Sequence, residues 1–370
     1  MHPGKLNKNQ LANFALYFNS GVEHWVVDRM ASFDHFIVRA VTFRGAKNNI
    51  INRAFTKQIT TFAIFYDGSD GNVIQNSRFD TMKESARKND NCSILFFQGS
   101  GYKSFSMKNN KILNNEFVNQ NDAIQIARQT YDGVLQEANC EGTIIDNNHI
   151  SLRPNIYTDG NGNYTPNGER AYAENAMDFK AASENVNNPV IITNNILWGF
   201  RRSDKTDSHC DDAGGALATH FNTPNMVIED NIIFDSAGGF GSGDSRNYTL
   251  ALENTSIKRN LFYRVGQYPN STSRSTTAMQ LTEVDTTTIQ HNVFINCRHK
   301  LGLMAWNKKG VTFINNDIIN CPDAEIRNNI GGIYEFETSP RIEYTKDLKF
   351  TTDNYTNNQK TMTLENVLKK

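Results

Sequence analysis

The chain has 370 residues and 41.8 kDa, and its 38 Lys and Arg against 39 Asp and Glu leave a formal net charge of −1. That balance supplies no basic surface for nucleic acid or for an anionic membrane, and no apolar run is long enough to cross a bilayer. A hydrophobic fraction of 38% and a mean hydropathy of −0.56 suit a narrow core beneath a large polar exterior.

From residue 50 onward a short frame recurs: an apolar residue, two positions, usually Asn, one position, another apolar residue. It begins as Ile50-x-x-Arg53-x-Phe55 and Ile74-x-x-Ser77-x-Phe79, which keep the apolar frame without the Asn. It continues as Ile112-x-x-Asn115-x-Phe117, Ile145-x-x-Asn148-x-Ile150, Ile192-x-x-Asn195-x-Leu197 and Ile228-x-x-Asn231-x-Ile233. The last copies are Ile257-x-x-Asn260-x-Phe262, Ile289-x-x-Asn292-x-Phe294 and Phe313-x-x-Asn316-x-Ile318. Anchors at 292 and 316 stand 24 residues apart, so about two dozen residues make one unit.

Within a unit the runs are short, β-branched or aromatic, and punctuated by Asn, Asp and Gly. Helical repeats would need longer stretches at a 3.6 period, and the dense Leu frame of a leucine-rich repeat is missing. The fold expected is all-β: a right-handed parallel β-helix of roughly ten coils over residues 1–340, with 341–370 as a C-terminal cap or tail. In that arrangement Asn tolerates left-handed backbone, and stacked amides bond one another in a ladder. Cys297 and Cys321 each follow an anchor Asn by five residues, so they are expected as neighbouring buried thiols. The five cysteines otherwise form neither a disulfide framework nor a metal-ligand spacing.

Anchor spacings widen in the middle of the stack, placing insertions near 153–171 and 200–215. The first carries Tyr157, Tyr164 and Asp159-Gly160-Asn161-Gly162-Asn163. The second carries Arg201, Arg202, Asp204, Asp207, His209, Asp211 and Asp212. Long loops on one side of a rigid stack form the walls of a groove.

A second strand per coil aligns as Ala123–Ala127, Ala176–Lys180, Ala216–His220, Leu250–Glu253 and Ala278–Thr282. Alternation then turns Gln125, Asp178 with Lys180, Ala218 with His220, Ala251 with Glu253, and Gln280 towards solvent. Coils about 4.8 Å apart bring Lys180 beside His220 despite 40 intervening positions. The candidate catalytic residues are Lys180, Arg201, Arg202 and His220. Gln125, Arg128, Tyr131, His209, Glu253 and Gln280 are the candidate substrate contacts. Glu174, Asp178, Asp211 and Asp212 form the oxygen-rich set suited to Ca²⁺.

Asn-rich parallel coils with an Asp178-x-Lys180 strand in mid-stack resemble right-handed parallel β-helix polysaccharide lyases, nearest the alginate lyase and chondroitinase B group, with pectate lyases further off. The resemblance covers residues 35 to 335 at the level of the coil pattern. It implies Lys180 as base, Arg201 one coil later as acid, and Ca²⁺ on the acidic residues neutralising a uronate carboxylate. The Asn-Lys-Ser surround of the base in that group is replaced here by Asp178-Phe179-Lys180-Ala181. The expected partner is an acidic polysaccharide, and the expected setting is secreted, periplasmic or cell-surface. The N-terminus, beginning Met1-His2-Pro3-Gly4-Lys5, does not resemble a secretory signal, as a mature form or a fragment would not.

Three rivals stand beside the lyase. An inverting hydrolase of polygalacturonase type would use Asp178 with Asp211 or Asp212. An epimerase would share the proton abstraction without cleavage. A non-catalytic carbohydrate-binding stalk, adhesin or phage spike would use the same fold without chemistry.

Overall fold

The structure is a computed structural model. It describes residues 14–33, 39–57, 59, 61–80, 92–97, 105–120, 122–131, 134–152, 175–200, 215–220, 223–242, 252–266, 277–281, 284–297, 302–303, 311–321, 335–336 and 342–343. All regular elements among them are strands, most of three to six residues. Three sheets run the length of the chain, with ten, eleven and eleven strands, and every neighbouring pair in them is parallel. The chain visits the first, second and third sheet in turn and then returns to the first. This is the parallel β-helix that the repeat predicts.

Inward-pointing residues of each sheet stack on their equivalents from rung to rung, two per rung in much of the first sheet. In the first sheet these include Ile94, Ile124, Met177, Leu217, Phe240 and Met279, all buried. A second inward column of this sheet, in register with Ile126 and Phe179, carries stacked rings near the N-terminal end, where Phe43, Phe65 and Phe96 lie with centroids 4.8 and 4.6 Å apart. Each such side chain removed from water contributes about 1.5–3 kcal/mol.

The anchor asparagines lie in the bend between the second and third sheets and form one continuous ladder. The Asn115, Asn148, Asn195, Asn231, Asn260 and Asn292 side chains each donate Nδ2 to the Oδ1 of the next anchor, ending on Asn316, at 2.9 to 3.1 Å. The same oxygens also accept the backbone N–H of the preceding anchor, as from Asn148 to Asn195 at 2.9 Å. A second, shorter ladder joins Asn49, Asn72 and Asn110. Each amide within these two ladders thus has partners, where an unsatisfied one would cost about 1–3 kcal/mol.

Two details differ from the sequence reading. The left-handed residue is the one before the anchor: Asn114, Asn147, Asn194 and Asn315, replaced by Asp230, Arg259 and His291 in other coils. The anchor itself serves as the ladder rung. In the earliest copy the frame is one residue late, because Ile51 pairs with Ile74 and Thr56 with Phe79. Ala54 therefore occupies the anchor position, donating its N–H to Ser77 Oγ, and Arg53 takes the left-handed one. Arg53 is turned outward and ion-pairs with Asp28 on the neighbouring coil. Cys297 and Cys321 stack as buried free thiols, with the Cys297 N–H on Cys321 Sγ at 3.4 Å.

Candidate functional site

The outward face of the first sheet carries the charged cluster. Register pairs Gln125 with Asp178, Asp178 with Ala218, Ala218 with Gly241 and Gly241 with Gln280, which makes one column. One step further along each strand, Lys180 and His220 are neighbours, since the Lys180 N–H reaches Ile126 O and the His220 N–H reaches Phe179 O. The strand Asn175–Phe179 thus delivers Asp178, and Lys180 and His220 follow directly after their own strands.

The three side chains converge. Lys180 Nζ lies 2.9 Å from Asp178 Oδ2, and His220 Nε2 lies 3.1 Å from Asp178 Oδ1. Gln125 Nε2 donates to the same Oδ2 at 3.0 Å and also faces Asp122 Oδ2 at 3.3 Å. The Asp178 side chain is fully buried, whereas those of Lys180 and His220 remain 28% and 32% exposed. Asp178 stands on the predicted face, but its two cations and Gln125 surround it and solvent does not reach it.

Burial by itself raises the pKa of Asp178 and favours the neutral form. The His220 and Lys180 charges and hydrogen bonds outweigh it, and the carboxyl is held well below the ordinary range. The result is a buried anion that holds the Lys180 amine and the His220 imidazole at the surface. The same attraction holds an ammonium beside a buried carboxylate in its charged form.

Around this centre the other predicted residues fall out unequally. Gln125 is 7% exposed and spends its amide on two carboxylates, so it positions Asp178. Gln280 lies on the same column two rungs beyond Ala218 and is partly exposed. Arg128 and Tyr131 open and close the strand Arg128–Tyr131, which pairs antiparallel with Val134–Asn139 in a hairpin leaving the coil beside Lys180. Glu253 does not belong to the column. Gly238–Ser242 fills that rung, and Leu252–Glu253 pairs with Val284–Asp285 in a separate two-stranded sheet. The reason is compositional: Gly238-Gly239-Phe240-Gly241 gives a weak strand signal, while Leu250-Ala251-Leu252 mimics one. Arg201, Arg202, His209, Glu174, Asp211 and Asp212 lie outside the described residues, as do most of both insertions.

Asp122 is the residue that the sequence reading passed over. It is fully buried, faces Gln125, and accepts the Asn175 N–H at 2.8 Å. Its place directly before Ala123, at the entry of an aligned strand, was the available signal. Cys92, on the adjoining rung, approaches Gln125 Oε1 at 3.9 Å. Burial, followed by the charges of Asp122 and Asp178, pushes its thiol well up, so it is not a nucleophile at neutral pH.

Among the described residues no group of three or more His, Cys, Asp or Glu is placed to hold a metal ion. Asp178 does not fit a calcium ligand in this arrangement, because both its oxygens already face nitrogen donors.

No protein-family model and no curated protein matches the chain. Among solved structures it is similar to a tailspike protein variant of E. coli bacteriophage HK620 in complex with a pentasaccharide. The TM-score is 0.51 at 11% identity, covering 89% of this chain and 56% of that one. It is also similar to PfbA, a surface adhesin of Streptococcus pneumoniae, with a TM-score of 0.41 at 14% identity over 83% of this chain and 62% of that one. A third similarity is to the catalytic domain of a GH87 alpha-1,3-glucanase in complex with nigerose, with a TM-score of 0.38 at 14% identity, covering 85% and 50% of the two chains. At these identities the likeness is one of fold, and the chain spans about half the length of the tailspike chains it matches.

Proposed function

We propose that this protein binds an acidic, uronate-containing polysaccharide over the outward face of the first sheet and cleaves it by β-elimination. The observation that carries the reading is the buried Asp178 carboxylate holding Lys180 and His220 side by side at the surface. An ammonium beside an imidazole on a rigid sheet suits a sugar carboxylate, whose charge must be neutralised before the adjacent C5 proton becomes acidic.

The roles follow from charge. Lys180, paired with a buried anion, stays an ammonium and serves as the cation beside the substrate carboxylate. In this reading His220, the alternative base, takes the proton-abstracting role in place of Lys180. His220 carries its Nε2 proton towards Asp178 in one tautomer, which leaves the Nδ1 lone pair as the base. It takes the C5 proton, the C4–C5 double bond forms, and the C4–O bond breaks with its electron pair leaving on oxygen. Arg201 or Arg202 donates to that oxygen. No step is routed through a metal.

The hydrolase reading is weaker on the same geometry. A carboxyl that acts as general acid or base must reach the glycosidic oxygen or a water, and Asp178 is enclosed and held ionised. The test is a panel of uronate polysaccharides assayed both for ultraviolet-absorbing unsaturated ends and for reducing ends. Absorbing products that vanish in Lys180→Ala and His220→Ala support elimination. Reducing ends without absorbance would establish hydrolysis, and binding without either product would leave a glycan-binding protein.

A further inference from the structure

Two residues beyond the Asp178 column, the first sheet carries another outward column that runs well past Lys180. The pairing of Arg44 with Tyr66 begins it. The Phe97 N–H on Phe65 O, the Ala127 N–H on Phe96 O, the Lys180 N–H on Ile126 O and the His220 N–H on Phe179 O continue it. Such bonds in a parallel ladder put Arg44, Tyr66, Phe97, Ala127, Lys180 and His220 on successive rungs in register. Alternation turns all six to the face that carries Gln125 and Asp178.

The character of this column changes along its length. Lys180 and His220 form the polar end, Ala127 interposes only a methyl group, and Phe97 and Tyr66 are partly exposed rings. Inside the solenoid the Phe65 ring is stacked on both sides, by Phe43 and Phe96. Outside, Tyr66 and Phe97 meet edge to face, with centroids 5.8 Å apart and 88° between the planes. A perpendicular contact fixes both rings yet occupies only one ring face. Exposed Arg39 donates Nη1 to the Tyr66 hydroxyl at 3.3 Å, placing positive charge at this end.

We propose that Tyr66 and Phe97 form a sugar-stacking subsite for the polysaccharide that reaches Lys180 and His220, selecting chains long enough to span both. The inference rests on the polysaccharide reading of the Lys180 site. Along the stack Phe97 lies two rungs from Lys180, about 10 Å, and Tyr66 three rungs, about 14 Å. A glycan laid along the column at Lys180 therefore passes over both rings within a few sugar units. The C–H face of a pyranose is the apolar surface that an aromatic ring takes, while its hydroxyls stay in water. The Arg39 charge beside Tyr66 favours a uronate chain over a neutral one.

The test is calorimetric binding of the unmodified chain and its variants to oligogalacturonates and alginate oligosaccharides of graded length, with neutral glucans alongside. Phe97→Ala is expected to weaken hexasaccharide binding about three- to tenfold and to leave disaccharide binding unchanged. Phe97→Leu keeps apolar bulk beneath the site and is expected to lose the same affinity, whereas Phe97→Tyr is expected to retain it. Hexasaccharide binding unchanged in Phe97→Leu, or equal weakening at both lengths, would overturn the subsite and leave the uronate reading standing. A length-dependent loss seen only with neutral glucans would keep the subsite and overturn the uronate reading. Absence of binding to every one of these glycans by the unmodified chain would overturn both.

Discussion

Asp178 and His220, 42 residues apart in sequence, meet across one rung spacing with 3.1 Å between Oδ1 and Nε2. The register that brings them together is the backbone ladder of the first sheet, in which Asp178 pairs with Ala218 and the His220 N–H binds Phe179 O. Because that ladder is rigid, the geometry does not depend on either side chain being mobile.

The pair makes an asymmetric prediction for stability. Removing both partners in Lys180→Ala with His220→Ala strands a buried carboxylate, and the loss is expected near 3–5 kcal/mol. Asp178→Asn leaves Lys180 and His220 part-exposed, where water can solvate them, and should cost about 1–3 kcal/mol. Urea midpoints at neutral pH check this order, and equal losses would show that the carboxylate is not truly enclosed.

Acid sensitivity follows from the same carboxyl. Its folded pKa lies below the ordinary 3.8, so its contribution is fully present above the unfolded value and lost as pH falls through the folded one. Glu141 behaves alike: hydrogen bonds from Lys108, Asn185 and Asn188 lower its value to about 2, against a small opposing effect of burial. Stability measured below about pH 4 should therefore fall steeply, and Asp178→Asn should flatten that slope more than a surface Asp substitution such as Asp317→Asn.

For activity, Asp178→Asn removes the group that orients His220 and anchors Lys180. Elimination is expected to drop by about 10²–10⁴-fold, the usual span for losing a positioned acid–base group. The drop should appear mainly in kcat, with polysaccharide binding weakened less than in Lys180→Ala.

Two glycines two positions apart separate packing from space. A Cβ on Gly239 would meet Ala278 O at 2.1 Å, while one on Gly241 meets nothing within 4 Å. Gly239→Ala is expected to destabilise by more than about 2 kcal/mol through forced backbone movement, and Gly241→Ala to stay within about 0.5 kcal/mol of the parent. Thermal unfolding of the two variants decides it.

The asparagine ladder predicts a position effect. Asn231→Ala breaks bonds on both sides, to Asn195 and Asn260, and should cost about 1–3 kcal/mol. Asn316→Ala ends the run and removes one such link, so its penalty should be smaller in the same denaturant series.

Much of this was legible in the sequence because a solenoid repeats its instructions. The frame from Asn115 to Asn316 is read correctly in every copy, and the outward alignment of Gln125, Asp178, Ala218 and Gln280 follows from strand alternation alone. Errors arise where local signals are weak. Ile50 and Ile51 are both apolar, so the frame slips by one there, and the glycine-rich rung 238–242 hides behind the more strand-like Leu250–Leu252. Burial of Asp178 was not legible at all, since enclosure depends on side chains from three different coils.

Each coil touches only the ones before and after it, so disorder starting at either extremity must travel rung by rung to reach the interior. Asp178 sits on the sixth of ten strands in the first sheet. Fraying, or protease trimming of terminal turns, therefore spends itself on scaffold long before it reaches that centre. Placing the reactive cluster at mid-length makes the outer coils sacrificial insulation.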